Sequence, residues 1–306
     1  KGGVGKSSIS QALAATAASA GLKVVLIDAN VGQANQLSML GVLTRAGLPT
    51  IVEAATSGDI KQAFLPPSVL NANRNPDLRP VRFVLVAGPP RGRANHPGVT
   101  PELYLDAVRY AQKVADLVVV DTQIVEDGRD DSGMVRRMML PVLTSGGWWL
   151  GLSDDSPEGL IALHTVPKQM AERGVPVSHL LSMVNMLHSN VVLNVPELAR
   201  RLQPVSRLIA AMPYQDRLKQ MAHRRETLDG TPTFANPLEQ VLELVSGIPV
   251  RTAPDRGVEM PDASRVAPAV MQPAGRRHHL DPQSEPEPVR QEDHRRGWWP
   301  FRGDHR

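Results

Sequence analysis

Short apolar runs alternate with longer stretches of helical periodicity through the first 248 residues. The runs at 24–28, 81–87, 117–121, 148–153, 178–184 and 207–212 are aliphatic and β-branched with little polar alternation, which predicts strands covered on both faces. Between them the spacing predicts helices over 9–20, 51–63, 101–115, 158–173, 195–202, 216–225 and 237–245. Strand and helix in turn give an α/β fold of three layers, a mostly parallel twisted sheet with helices on both faces. Beyond residue 248 the pattern stops. Residues 249–306 are rich in proline, arginine and acidic side chains with few apolar ones, so they bury too little surface to offset the entropy of ordering and are expected to form a disordered tail.

Composition narrows the picture. With 306 residues and 42% hydrophobic content the chain can bury one sizeable core, and its apolar runs fall short of a membrane span. The absence of cysteine excludes disulfides and thiolate metal sites and suits a reducing cytoplasm. A net charge of +3 does not by itself imply a nucleic-acid partner. No Gly-x-Ser-x-Gly elbow and no His-Glu-x-x-His spacing occur, leaving nucleophilic serine and zinc-protease chemistry without support.

The first eight residues carry the strongest chemistry. Lys1, Gly2, Gly3, Val4, Gly5, Lys6, Ser7 and Ser8 form a glycine-rich loop ahead of an alanine-rich helix. Glycines let consecutive backbone N–H groups turn toward phosphate oxygens, Lys6 neutralises their charge, and the Ser7 hydroxyl is a ligand type that Mg²⁺ takes. Such a loop ordinarily leaves a buried parallel strand, so a first strand missing upstream of Lys1 is expected. Two later strands, at 24–28 and 117–121, each end on a carboxylate, Asp28 and Asp121.

Lys-Gly-Gly-x-Gly-Lys-Ser resembles the deviant phosphate loop of the ParA/MinD family of ATPases, and the stretch from Asp28 to Asn35 is similar to that family's first switch, closest to its MinD branch. The resemblance covers about residues 1–248 and implies a P-loop ATPase domain there. It implies ATP and Mg²⁺ as cofactors, with Ser7 on the metal directly, Asp121 through water, and Asp28 supporting the switch. Lys1 would reach the partner's phosphates in an ATP-bound homodimer. Asn185 and the backbone from Pro213 would frame the adenine. One residue departs: Asn30 stands where the family has a second aspartate. An amide orients water but accepts no proton, which favours slow hydrolysis, while normal turnover with water held by backbone groups stays open.

Cargo and docking surface stay open at this stage. The resemblance implies partition of DNA or positioning of a secretion, conjugation, pilus or division apparatus, with a protein partner or activator. A non-hydrolysing scaffold that docks a protein is the competing reading. The tail tip at 295–302 sets Trp298 and Trp299 among arginines, which suits a membrane interface and a place at its inner face, a partner's pocket, or no role at all. Arg217, Lys219, His223, Arg224 and Arg225 crowd one predicted helix and read either as a solvated face or as a non-specific DNA contact. The acidic segment 127–131 reads as the second switch or its neighbour rather than a calcium loop.

Overall fold

The alanine-rich segment behind the glycine loop forms α1 (Lys6–Ser19), and burying Ala12, Ala14, Ala15, Ala17 and Ala18 lets its backbone pack close to a sheet. The computed structural model describes residues 3–42, 47–90, 92–123, 133–188, 193–226, 232–247 and 249. Lys1, Gly2, the segment 127–131 and the tail beyond 249, with its tryptophan tip, lie outside them.

A fully buried strand, β1 (Val24–Ala29), follows α1, and then a short helix, α2 (Gln36–Met39). Residues 51–63, expected as one helix, are two. Helix α3 (Ile51–Ser57) starts at a Thr50/Glu53 capping box and stops at Gly58, whose φ of 73° leaves the helical region; Asp59 then caps a separate 3-10 turn, Ile60–Ala63. The two-residue strand β2 (Phe64–Leu65) pairs antiparallel with β3 (Val84–Val86), and α4 (Pro67–Ala72) lies between them in sequence.

Helix α5 (Pro101–Val114), capped by Thr100, leads to β4 (Leu117–Thr122). A π-turn at Val135–Met139 runs into α6 (Leu140–Thr144), and then come β5 (Trp149–Ser153) and α7 (Pro157–Glu172), capped by Ser156. The chain continues through β6 (Leu180–Leu187), α8 (Val195–Leu202), β7 (Arg207–Pro213), α9 (Asp216–His223) and α10 (Pro232–Ser246). Pro237, taken from the sequence as the opening of the last helix, sits inside α10 instead.

Among the described residues the named strands pair in parallel except for β2, but they form two sheets: β2-β3-β1-β4 and β5-β6-β7. The helical layers do not share this division. On one face, an apolar cluster containing Leu13 of α1 and Leu242 of α10 joins Val24, Leu26 and Leu85 of the first sheet to Leu181 and Met183 of the second. On the other, Tyr104, Val108, Met138 and Met170 join Val25, Ile27 and Val86 to Leu180. The alternation of inward side chains along β1 sends Val24 and Leu26 one way and Val25 and Ile27 the other, as a strand covered on both sides requires.

Candidate nucleotide and cation site

The phosphate loop ends at Gly5, which caps α1 with φ 83°; its carbonyl accepts the Ile9 N–H at 2.9 Å. No side chain caps the helix and no acidic residue lies in its first turn, so the partial positive charge of the helix start is not neutralised from within the helix. Backbone donors and a helix dipole aimed at one point make an anion site. Lys6 adds a cation, and burial lowers its pKa while the nearby Asp121 raises it.

Parallel pairing of β1 with β4 sets Asp28 directly opposite Asp121, both buried. Asp28 Oδ2 accepts the backbone N–H groups of Asn35 (2.9 Å) and Gln36 (3.0 Å), and Oδ1 that of Asn30 (3.4 Å). Desolvation pushes Asp28 up to about 7, opposed by the Gln36 backbone donor and reinforced by the negative charge of Asp121. Asp121 is also raised by burial, against hydrogen bonds from the Ser7 and Gln36 side chains and the charge of Lys6. Switch and loop meet here.

Gln36 makes the connection. Its Nε2 donates to Asp121 Oδ2 at 2.9 Å and to the Ser7 carbonyl at 3.1 Å, so one buried amide ties the segment after β1 to β4 and to the loop. No sequence motif marks it, because a glutamine carries no charge and no motif weight. Its position directly after the switch-like Asn35 was the available signal. The neighbouring turn is tight: a Cβ on Gly88 would lie 2.6 Å from Ala34 Cβ and 2.8 Å from the Asp28 carbonyl oxygen.

Asp121 Oδ1 and Gln36 Oε1 are buried and have no hydrogen-bond partner among the described residues. With the Ser7 hydroxyl alongside Asp121, they form a set of hard oxygen donors, the type that Mg²⁺ selects. Asn30 is half-buried, and its carbonyl accepts the Gln33 N–H at 3.0 Å.

From the second sheet, Asn185 near the end of β6 donates its Nδ2 to the Val4 carbonyl at 3.0 Å. It therefore fastens the loop. A Cβ at Gly5 would approach that Nδ2 to 2.6 Å. Pro213 ends β7 exposed, and the following Tyr214 N–H bonds the Leu187 carbonyl at 2.9 Å. Beside it the His188 and Tyr214 rings stack, 5.7 Å apart and 9° from parallel, with His188 Nδ1 3.1 Å from Asp155. No local sequence pattern marks this trio, because its members lie far apart along the chain.

A family model described as the CobQ/CobB/MinD/ParA nucleotide binding domain matches residues 1–228. The chain belongs to this family. The MinD/ParA resemblance of the loop and the expected α/β architecture are thereby borne out. Among solved structures, the septum site-determining protein MinD of Pyrococcus horikoshii OT3, complexed with Mg-ADP, is similar at 15% identity and a TM-score of 0.61, with 80% of this chain and 93% of that one covered. MinD of Aquifex aeolicus aligns at 18% identity and a TM-score of 0.55, covering 83% and 91%. A ParA family ATPase from Chlorobium tepidum TLS aligns at 14% and 0.54, covering 82% and 93%. No curated protein matches the chain in sequence. The basic residues of α9 and its end, Arg217, Lys219, His223, Arg224 and Arg225, are all exposed, while Leu218 and Met221 of the same helix pack on the core. Among the described residues, no helix is long and apolar enough to cross a membrane.

Proposed function

We propose that the protein binds ATP with Mg²⁺ and works as a slowly hydrolysing, ParA/MinD-like dimeric switch that positions or partitions a cellular cargo. The observation that carries this reading is the convergence of the uncapped start of α1, Lys6, and the paired carboxylates Asp28 and Asp121 on one point. Loop amides and Lys6 hold phosphate oxygens, Ser7 and Asp121 hold the metal, and Asp28 keeps the switch segment in place through the Asn35 and Gln36 N–H groups. Bound Mg²⁺ supplies charge neutralisation on the phosphates. Lys1 would act across the dimer on the partner's phosphates.

Gln36 links nucleotide state to shape. Its contacts with Asp121 and the Ser7 carbonyl involve the residues that would hold the metal, so occupancy there moves the segment that begins at Asp28. Asn30 orients water without accepting its proton, which suits slow turnover. Asn185 holds the loop and, with the backbone from Pro213, borders the base. The exposed cations of α9 suit non-specific DNA, the tail tip suits a membrane surface, and a protein activator would set the timing.

The test is single-turnover hydrolysis in wild type and Asn30→Asp, together with ATP-dependent dimerisation by light scattering. A measurable wild-type rate that rises on restoring the carboxylate supports the switch. A wild-type rate of zero that Asn30→Asp leaves at zero favours the scaffold reading, and absence of Mg²⁺-dependent ATP binding overturns both.

A further inference from the structure

Two buried amide side chains meet at the first turns of α1, and each is left half-paired. Gln11 of α1 has no hydrogen-bond partner for its Nε2 among the described residues, and Gln36 at the start of α2 has none for its Oε1. One orphan is a donor and the other an acceptor. With exposures of 2% and 0%, neither can turn to solvent instead. Unpaired groups of this kind are destabilising, so a conformation that joins the two relieves both at once.

The Ser7 carbonyl brings them together. It accepts Gln36 Nε2 at 3.1 Å, and the i→i−4 ladder of α1 aims the Gln11 backbone N–H at the same oxygen. Gln11 stands four residues after Ser7, so its side chain lies on the same face of the helix and leans back over the Ser7 turn. Leu37 and Leu40, which follow Gln36, pack in one apolar cluster with Ile9 and Leu13 of α1. The orphaned acceptor thus sits on the same side-chain amide that already reaches the turn Gln11 covers.

We propose that Gln11 is a positioning residue for the segment after β1: once a divalent cation and nucleotide occupy the loop, the Gln36 amide leaves Asp121 and its Oε1 accepts a hydrogen bond from Gln11 Nε2. Gln36 Nε2 now bonds Asp121 and Ser7, the two residues assigned to the metal, and a cation there disfavours the positive N–H end of the amide. Gln11 supplies the second docking point, so the segment has two discrete arrangements rather than one arrangement and a loosened loop. The inference rests on the nucleotide reading and deepens it by naming what receives the released amide.

The experiment titrates the full chain with Mg·ATP and, in EDTA, with metal-free ATP, for wild type, Gln11→Met, Gln36→Leu and the double variant, and records nucleotide-free melting of each. Methionine keeps the unbranched length of glutamine without its amide and suits a helix. Gln11→Met is expected to weaken Mg·ATP binding about fivefold, the worth of one net hydrogen bond, and to leave metal-free affinity and nucleotide-free melting as they are. In the Gln36→Leu background it is expected to change nothing further. Unchanged Mg·ATP affinity in Gln11→Met, which would leave Gln36 Oε1 to the cation, overturns the proposal. So does an equal loss without metal, or an equal loss with Gln36→Leu in place. Should Gln11→Met not fold, Gln11→Leu is judged by the same criteria, and wild type gives a measurement that needs no variant: backbone amide exchange across 36–40 is expected to be no faster with Mg·ATP than without nucleotide, and faster exchange overturns the docking. Wild type that binds no Mg·ATP sinks the nucleotide reading and this one together, whereas wild type that binds it while any of these outcomes fails sinks this one alone.

Discussion

At its loop end the four-stranded sheet carries two buried carboxylates, Asp28 and Asp121, in register, whereas the three-stranded sheet brings an uncharged amide, Asn185, and a solvent-facing ring pair, His188 and Tyr214. The first half concentrates charge where water is excluded, and so can respond to a cation or a phosphate. The second supplies fastening and an apolar border. The contrast sets an order of sensitivity: substitutions among the buried charges should change binding steeply, those at the fastening amide should change stability, and those at the rings should change little.

Removing the Lys6 charge has the largest expected effect. Lys6→Ala should weaken Mg·ATP binding by about a hundredfold, the scale of roughly 3 kcal/mol for a charge-assisted contact, as read by titration with a fluorescent ATP analogue. Unchanged affinity would move the anion site away from the loop and dissolve the distinction between the two halves.

The next probe attacks the link between them. Gly5→Ala puts a methyl 2.6 Å from Asn185 Nδ2 at a backbone φ of 83°, and should destabilise the protein by about 1–3 kcal/mol. Asn185→Ala relieves the clash, so the double variant should melt above the sum of the two single losses. Additive losses would mean that Asn185 does not hold the loop.

These two residues also measure what the sequence could tell. Lys6, Ser7, Asp28 and Asp121 were legible because the phosphate loop and strand-end carboxylates are local patterns with a chemical reason for their spacing. Asn185 was legible as a residue of interest, but its hydrogen bond to Val4 was not, since 181 positions separate them and only the packed fold brings them together. Gln36 was not legible at all: it is an uncharged amide outside any motif, and its partners Ser7 and Asp121 lie 29 and 85 positions away. Most strand positions along the chain were readable from hydrophobicity, with β3 shorter than its apolar run because only 84–86 ladder, but the two-residue β2 is too short to leave a periodic pattern and was not expected. The division into two sheets was not, because pairing between strands leaves no mark on either strand alone.

Buried charge also gives the first sheet a pH signature. The unfolded Asp28 titrates near 3.9 and the folded one at about 7, so between those values the native state holds the extra proton. Its contribution to stability is then full below about pH 4 and is lost as pH rises toward 7, with a slope of at most about 1.4 kcal/mol per pH unit. In nucleotide-free protein, the melting temperature of Asp28→Asn relative to wild type should therefore rise between pH 5 and pH 8. A difference independent of pH would show a carboxylate ionised in both states, and the two sheet ends would be alike in this respect.

The smallest effect belongs to the rings. His188→Ala removes the stack on Tyr214 and the side-chain contact with Asp155, but the residue-188 backbone N–H still donates to Asp155 Oδ2 at 2.7 Å. That backbone donor is the main reason the Asp155 carboxyl lies below the usual range, so most of its stabilisation survives the substitution. The His188 side chain is 55% exposed, and a screened contact of this kind contributes about 0.5 kcal/mol, the stack a similar amount. A fall in melting temperature of only a few degrees is expected, shrinking further in high salt. A loss as large as that of Gly5→Ala would place a second structural centre at the ends of β6 and β7, and the three-stranded sheet would then hold the loop through this trio as much as through Asn185.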